Sequence, residues 1–493
     1  MAVIIKIPLR YNFENILNTT HSSDAPINTT QSTHSFNRLP LKPALLKTLD
    51  DLGYTRMTDI QAQSLPAVLA GKDVLAKAKT GSGKTAAFGL GLLSKLNVKL
   101  YRVQSLVLCP TRELADQVSK ELRRLARGIH NIKILPLCGG QPFGPQLGSL
   151  EHGAHIVVGT PGRVSEHLRK RSLNLDHLTT FVLDEADRML DMGFSDTIDG
   201  ILKLMPDKRQ TLLFSATYPD SIADISARVL YKPVEISVDS VHDSSQIQQH
   251  CYEIDRGQRE QALMQLLAHY QPKSAVIFCN TKRDCQALAD ELYNQGFSAL
   301  ALHGDLEQKA RDQVLIRFSN GSSSILVATD VAARGLDIKS LEAVINYELT
   351  RDPEVHVHRI GRTGRAGNKG LALNLCTASE MNRANAIEDY LNIKLHWGNL
   401  PELSSERATN KKVGYQPEMI CLSIDGGRKD KVRPGDILGA LTKDAGLPGA
   451  DIGKIDIADY HAYVAVKRQS AKTALKHLQN GKLKGRKFKV RRF

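Results

Sequence analysis

Asp73-Val74-Leu75-Ala76, then Ala78-Lys79-Thr80-Gly81-Ser82-Gly83-Lys84-Thr85, then Ala86-Ala87-Phe88-Gly89-Leu90: a short apolar run, a glycine-rich turn closed by Lys-Thr, and a helix-like stretch. A strand, a phosphate cradle and a helix in that order define a P-loop and the first βα unit of a parallel sheet. Gly81 and Gly83 let backbone N–H groups turn onto phosphate oxygens, aided by the positive end of the following helix. Lys84 would reach the β and γ phosphates, and the Thr85 hydroxyl would ligate Mg²⁺. Ala78 stands where the general pattern has its first glycine. The reading is a site for a nucleoside triphosphate, held by Ala78, Lys79, Thr80, Gly81, Ser82, Gly83, Lys84 and Thr85.

About a hundred residues on, the apolar run Phe181-Val182-Leu183 ends in Asp184-Glu185-Ala186-Asp187. An apolar run closed by acid reads as a buried strand delivering carboxylates to the carboxyl edge of a sheet, where open α/β sheets bind ligands. One carboxylate there can hold Mg²⁺ and a second can orient water. By itself the tetrapeptide also fits a helix start or a solvated loop; its partner cradle gives it meaning.

A length of 493 residues allows about three domains. No apolar run approaches the roughly 20 residues that span a bilayer. The opening Met1-Ala2-Val3-Ile4-Ile5-Lys6 makes a poor signal peptide. Seven scattered cysteines without a Cys-x-x-Cys pair read as core residues in a reducing compartment, not as a disulfide or zinc framework. A cytoplasmic protein with no membrane partner is expected. The formal net charge of +14 favours a polyanionic partner. From Tyr415 onward there are seventeen basic and eight acidic residues, a balance of +9, with seven of the basic residues after Gly481. There they alternate with apolar residues, as an edge strand with one wet face would.

Residues 1–35 read as a disordered leader, since the Ser/Thr/Asn-rich stretch 18–35 has no apolar period. Residues 36–240 and 247–397 each alternate short apolar runs with helical patterns, which implies two parallel-sheet domains. A connector over 398–416 follows. Residues 417–493 change texture to a strand–helix–strand–strand–helix–strand order, with strands over 419–424, 452–457, 462–466 and 487–493 and helices over 434–443 and 471–478. That order is used by RNA-recognition modules.

With these residues in hand the chain resembles the DEAD-box family of RNA-dependent ATPases over about residues 36–395. The resemblance implies an α/β fold class: two RecA-like parallel-sheet domains in tandem, plus a C-terminal RRM-like α+β domain. It implies that Gly53-Tyr54 and Thr58-Asp59-Ile60-Gln61 form the adenine-reading motif, with Gln61 on the base edge and Phe36 stacking upstream. Met57 stands where the family usually has proline. Asp184 becomes the Mg²⁺-side carboxylate, Glu185 the residue that positions or activates water, and Asp187 the link to Ser215-Ala216-Thr217, which couples hydrolysis to RNA. His358-Arg359-Ile360-Gly361-Arg362-Thr363-Gly364-Arg365 supplies Arg362 and Arg365 as arginine fingers, with His358 in a coupling role. Gly335 and Asp337 touch the ribose. ATP and Mg²⁺ are the implied cofactors.

A site split between two domains forms only on closure, so RNA contacts are expected on both. The family's motifs fall on Arg112, Gly140, Thr160, Gly162 and Arg163 in the first domain and on Gln308, Arg311 and Thr329 in the second. Hydroxyls, glycine backbones and arginines suit sugar–phosphate contacts, which hold a strand without reading it. Sequence choice falls to the basic module, which resembles the RNA-binding domain of the bacterial DbpA subfamily, whose members recognise 23S ribosomal RNA of the large subunit. The sheet offers few stacking aromatics, only Tyr460 and Tyr463 on its third strand, so Arg428, Lys429, Lys431 and Arg433 or the C-terminal tail are the binding candidates. The function expected is a monomeric RNA helicase that remodels 23S ribosomal RNA in large-subunit precursors. An ATP-gated RNA clamp with little unwinding, and more distantly a DNA helicase, are the competing readings. Intact Lys84, Glu185 and Arg362 argue against an inert ATPase.

Overall fold

The computed structural model describes residues 34–78, 81–218, 220–238, 247–333, 341–364, 369–401 and 414–493. Lys79, Thr80, Gly335, Asp337 and Arg365, the leader up to residue 33 and most of the connector lie outside the described residues.

The first domain is a seven-stranded parallel sheet. Its strands are β1 (Val74–Lys77), β2 (Ser105–Leu108), β3 (Ile134–Leu137), β4 (Ile156–Gly159), β5 (Thr180–Asp184), β6 (Gln210–Ser215) and β7 (Val234–Ser237). They lie in the order β3-β4-β2-β5-β6-β1-β7. Strands buried on both faces are continuous apolar runs, and β2, β4 and β5 are buried along their whole length. Registry puts both Ala76 of β1 and Asp184 of β5 beside Phe214 of β6. At about 4.8 Å per strand, the cradle after β1 and the acid after β5 stand roughly 10 Å apart. The loop after β6, carrying Ser215 and Thr217, lies between them.

The helix that opens the cradle, Lys84–Lys95, is buried over most of its length between its neighbours. A Cβ at Gly91 would stand 2.2 Å from Val68 Cγ1 in the helix Asp59–Leu69. Only glycine lets these helices approach so closely, and their contact fixes the cradle against the helix that carries Gln61.

The second domain repeats the plan with β8 (Ile247–Glu253), β9 (Ala275–Cys279), β10 (Ala299–Leu302), β11 (Ile325–Thr329), β12 (Ala343–Asn346), β13 (Gly370–Cys376) and β14 (His396–Gly398). They form a parallel sheet in the order β10-β11-β9-β12-β13-β8-β14. The end of the connector is anchored on this domain. Tyr415 donates its hydroxyl to the Pro272 carbonyl at 2.7 Å and sets its ring edge-on to Phe297.

The third domain is an antiparallel sheet of β15 (Met419–Ile424), β16 (Ile452–Ile457), β17 (Ala462–Lys467) and β18 (Val490–Arg492), ordered β16-β17-β15-β18. Its core of Ile420, Leu422, Ile424, Val464 and Val466 packs against Ile437, Leu441, Ala474 and Leu478 from its helices. Three sequence expectations are corrected here. The last strand covers three residues, not seven, since of 487–493 only Val490, Arg491 and Arg492 pair with β15. The helix at Pro434 is α-helical to Gly439 and widens into a π-helical turn over Ala440–Asp444. Tyr460 sits in the turn before β17, not on the strand.

Among the described residues no helix is long and apolar enough to cross a membrane.

Candidate active site

The cradle is built by backbone geometry that its glycines permit. Gly81 and Gly83 sit at φ +86° and +97°, and Gly83 caps the helix that begins at Lys84. A Cβ at Gly83 would stand 2.5 Å from the Gln61 amide nitrogen. That amide donates to the Gly83 carbonyl at 3.1 Å, while its oxygen accepts from the Thr58 N–H at 3.0 Å. Gln61 therefore serves as a helix-capping residue that ties the Thr58–Gln61 motif to the cradle. Phe36 is buried, its ring edge-on to Tyr54 at 6.3 Å, and it is Tyr54 that lines the groove beside the cradle.

Opposite the cradle, Asp184 is fully buried and burial pushes its carboxyl up to about 7, against the pull of the nearby Lys84 ammonium. Asp184 Oδ1, Lys84 Nζ and Ser82 Oγ are buried without a hydrogen-bond partner. Orphaned polar atoms on both walls are costly unless a ligand answers them. A triphosphate for the lysine and a divalent cation for the carboxylate fit that demand, and the cation would restore the charged form of Asp184. Among the described residues there is no cluster of three or more His, Cys, Asp or Glu that could hold a metal.

Glu185 adopts φ 54°, ψ 52°, a left-handed conformation rare for a side chain with a Cβ, at the N-cap of the helix Ala186–Asp191. Such strain persists where the surroundings enforce it, often at functional sites. Asp187 faces the loop after β6: its Oδ2 accepts from the Thr217 N–H at 3.2 Å and from the Thr217 hydroxyl at 3.0 Å. Ser215 closes the loop by donating to the Thr217 carbonyl. If this link transmits hydrolysis to RNA, Thr217→Ala lowers strand separation about tenfold more than it lowers ATP turnover, a coupling of the usual size. Parallel assays of unwinding and phosphate release check it.

The second domain faces this wall across a cleft lined by Glu185, Asp187, Arg188 and Ala216 on one side and Asp330, His358, Arg359 and Arg362 on the other. Sequence reading passed over Arg359, which organises that side. Its guanidinium is buried and bonds both Asp330 oxygens at 2.7 Å, Asn280 and Asn346 at 3.1 Å and the Glu348 carbonyl at 2.8 Å. It fixes the helix Pro353–Ile360, at whose end Arg362 sits.

The RNA candidates fall into two sets. Arg112, Gly140 and Arg163 share one face of the first domain; Gly140 at φ +71° leaves room for the Arg112 guanidinium, and Arg163 bonds the Gln141 carbonyl. Thr160 precedes the helix Pro161–Arg169, and nothing stands within 4 Å of a Cβ at Gly162. Thr329 is buried at the end of β11. Gln308 and Arg311 reach across to the first domain: Arg112 Nη1 donates to Gln308 Oε1 at 2.5 Å, and Arg311 Nε to Glu113 Oε1 at 2.5 Å. Arg428, Lys429, Lys431 and Arg433 lie exposed on one loop of the third domain, and Arg428 and Arg433 line the far part of the groove that reaches the cradle. A second feature missed by sequence is the Tyr54 hydroxyl, which donates to Glu121 at 2.7 Å and accepts from Arg124; burial and the Glu121 carboxylate push its pKa up to about 12.

Comparisons with known proteins match this geometry. Residues 58–225 fit the DEAD/DEAH box helicase model, 258–367 the helicase conserved C-terminal domain, and 421–492 the DbpA RNA binding domain. The ATP-dependent RNA helicase DbpA of Escherichia coli is 59% identical over 451 residues, 92% of this chain and 97% of that one. Its Bacillus subtilis counterpart is 38% identical over 474 residues, 92% and 98% of the two chains. Saccharomyces cerevisiae Dbp5 bound to RNA and ADP BeF3 superposes with a TM-score of 0.67 at 30% identity, covering 74% of this chain and 96% of that one.

Proposed function

The chain belongs to the DEAD-box ATP-dependent RNA helicases of the DbpA type, and from that premise we propose that it remodels 23S ribosomal RNA in large-subunit precursors, as a cytoplasmic monomer. The observation that carries the mechanism is the cleft with Glu185 and Asp187 on one wall and His358 and Arg362 on the other. A site so divided works only when both domains meet, so ATP and RNA drive closure by binding the closed form better.

In this reading Gln61 takes the adenine edge, Phe36 backs that pocket through Tyr54, and residues 78–85 hold the phosphates. Thr85 and Asp184 would hold Mg²⁺, which when bound neutralises charge on the β and γ phosphates. Glu185 orients the attacking water and accepts its proton. Arg362, with Arg365, meets the charge that develops on the γ phosphoryl oxygens. Gly335 and Asp337 meet the ribose. Arg112, Gly140, Thr160, Gly162 and Arg163 hold RNA from one side, and Gln308, Arg311 and Thr329 from the other. The domains fall at 36–240, 247–397 and 417–493.

The match of residues 421–492 to the DbpA RNA binding domain supports the third domain as the address. Deleting residues 415–493 leaves ATP turnover with poly(A) and abolishes the preference for 23S ribosomal RNA over poly(A). Turnover measured with both RNAs and with DNA decides it. An unchanged preference places the address elsewhere, and equal stimulation by DNA removes the RNA reading.

A further inference from the structure

In the third domain the outer face of the sheet carries Cys421 and Ser423 on β15 and Tyr463 and Ala465 on β17, all pointing away from the domain's own core and all buried. What covers them is the second domain. Asn320 Nδ2 donates to Cys421 Sγ at 3.3 Å, the Arg317 guanidinium lies 5.6 Å from the centre of the Phe493 ring, and Tyr463 bonds the Gln313 side chain. Lys454 reaches Ser319 at 3.0 Å from the neighbouring β16. These partners lie on the helix Gln308–Ser319 and the turn after it. The same helix meets Arg112 and Glu113 of the first domain at its other end. The sheet face, where RNA-recognition modules stack bases, is thus taken by protein.

Three loops meet at one edge of the same sheet. The turn Ala458–His461 is bonded to the first loop: Arg428 N–H donates to the Ala458 carbonyl and Lys429 N–H to the Asp459 carbonyl, both at 2.9 Å. The chain after residue 481 joins from the other side, with Lys484 Nζ donating to the Lys431 carbonyl at 2.9 Å and the Phe488 ring lying where a Cβ at Gly426 would be. Lys429, Lys431, Arg433, Arg486 and Lys487 are exposed there, and among the described residues no carboxylate pairs with them. Tyr460, in the turn whose Ala458 and Asp459 carbonyls accept from the first loop, is 66% exposed. An exposed ring on a loop cluster that also carries exposed cations without carboxylate partners suits base stacking flanked by phosphate contacts. Arg428 and Arg433 also line the groove that runs along the first domain past Arg123 to the cradle, so a strand leaving the edge is led toward the core.

We infer that the third domain takes an unpaired RNA base on Tyr460, with Lys429, Lys431, Arg433, Arg486 and Lys487 on the neighbouring phosphates, while its sheet face serves only to dock on the second domain. This rests on the reading of that domain as the RNA address. The RNA is then carried in fixed register with the moving half of the core.

The test uses the full chain, with the RNA concentration giving half-maximal ATP turnover measured for a 23S ribosomal RNA transcript and for poly(A). Tyr460→Ala raises the 23S value about tenfold and Tyr460→Phe stays within about twofold, the span of one base–ring stack. Arg486→Ala with Lys487→Ala lowers the log–log salt slope for 23S binding by about two, one unit per lost phosphate contact. Tyr463→Ala, and Arg317→Ala on the opposing surface, leave the 23S value within about twofold. An unchanged value in Tyr460→Ala, or a loss in Tyr463→Ala as large as that in Tyr460→Ala, overturns the inference. If the unaltered chain shows no preference for 23S over poly(A), the address reading itself is what has failed.

Discussion

Glu185→Gln slows RNA-stimulated ATP turnover by a factor on the order of 10² to 10⁴, the range a positioned general base supplies, while ATP and RNA stay bound. The substitution keeps volume and shape at a buried position whose backbone is held at φ 54°, ψ 52°. It removes only the oxygen able to accept a proton from water. On the proposed roles Lys84 remains in place for the phosphates and Asp184 for the cation, so binding survives. Phosphate release at saturating RNA, beside filter binding of labelled ATP, separates the two effects. Turnover near that of the unaltered protein would remove Glu185 from the chemistry.

Arg362→Ala lowers turnover about 10³-fold, the lower bound for loss of an arginine finger, with ATP affinity in the absence of RNA changed by no more than a few-fold. The reason is location. The cradle that binds ATP belongs wholly to the first domain, whereas Arg362 sits at the end of Pro353–Ile360 in the second, aligned by the buried Arg359–Asp330 pair. Arg362→Lys does not restore activity, because an ammonium cannot present the planar fork that spans two phosphoryl oxygens. The same titrations of ATP binding and turnover decide it. A variant that loses ATP affinity as steeply as turnover would place Arg362 in ground-state binding.

The two substitutions act on opposite sides of one equilibrium. Glu185→Gln leaves every closing contact intact and stalls the step that releases them. On the proposed mechanism Arg362→Ala removes a contact made only when the domains meet.

The parts of this site that could be read from sequence are local. Residues 78–85 and 184–187 carry their chemistry in consecutive positions, and the strands before them are apolar runs whose ends fall within a residue of those observed. Thr217 and Asp187 were joined by resemblance, and their hydrogen bonds follow from β6 lying beside β5. What could not be read depends on several segments at once. Arg359 gathers partners at 280, 330, 346 and 348, four places that nothing in the local sequence brings together. Gln61 offered a donor and an acceptor, but that both engage Thr58 and Gly83 depends on how two helices pack across Gly91. Alternation along β17 puts Tyr463 on the outer face; that a helix of another domain covers it is a tertiary fact. The last strand was overestimated because the alternating basic–apolar pattern already runs from Lys487, three residues before the chain pairs with β15.

The central claim is that one catalytic site is shared by two domains and completed by ATP and RNA together. All seven cysteines are buried, so fluorophores on cysteines introduced at the surface of each domain report their separation without competition. In the Glu185→Gln protein, energy transfer should rise only when ATP and RNA are both present, and persist because hydrolysis cannot reset it. Transfer that rises fully with either ligand alone, or not at all with both, would contradict the account.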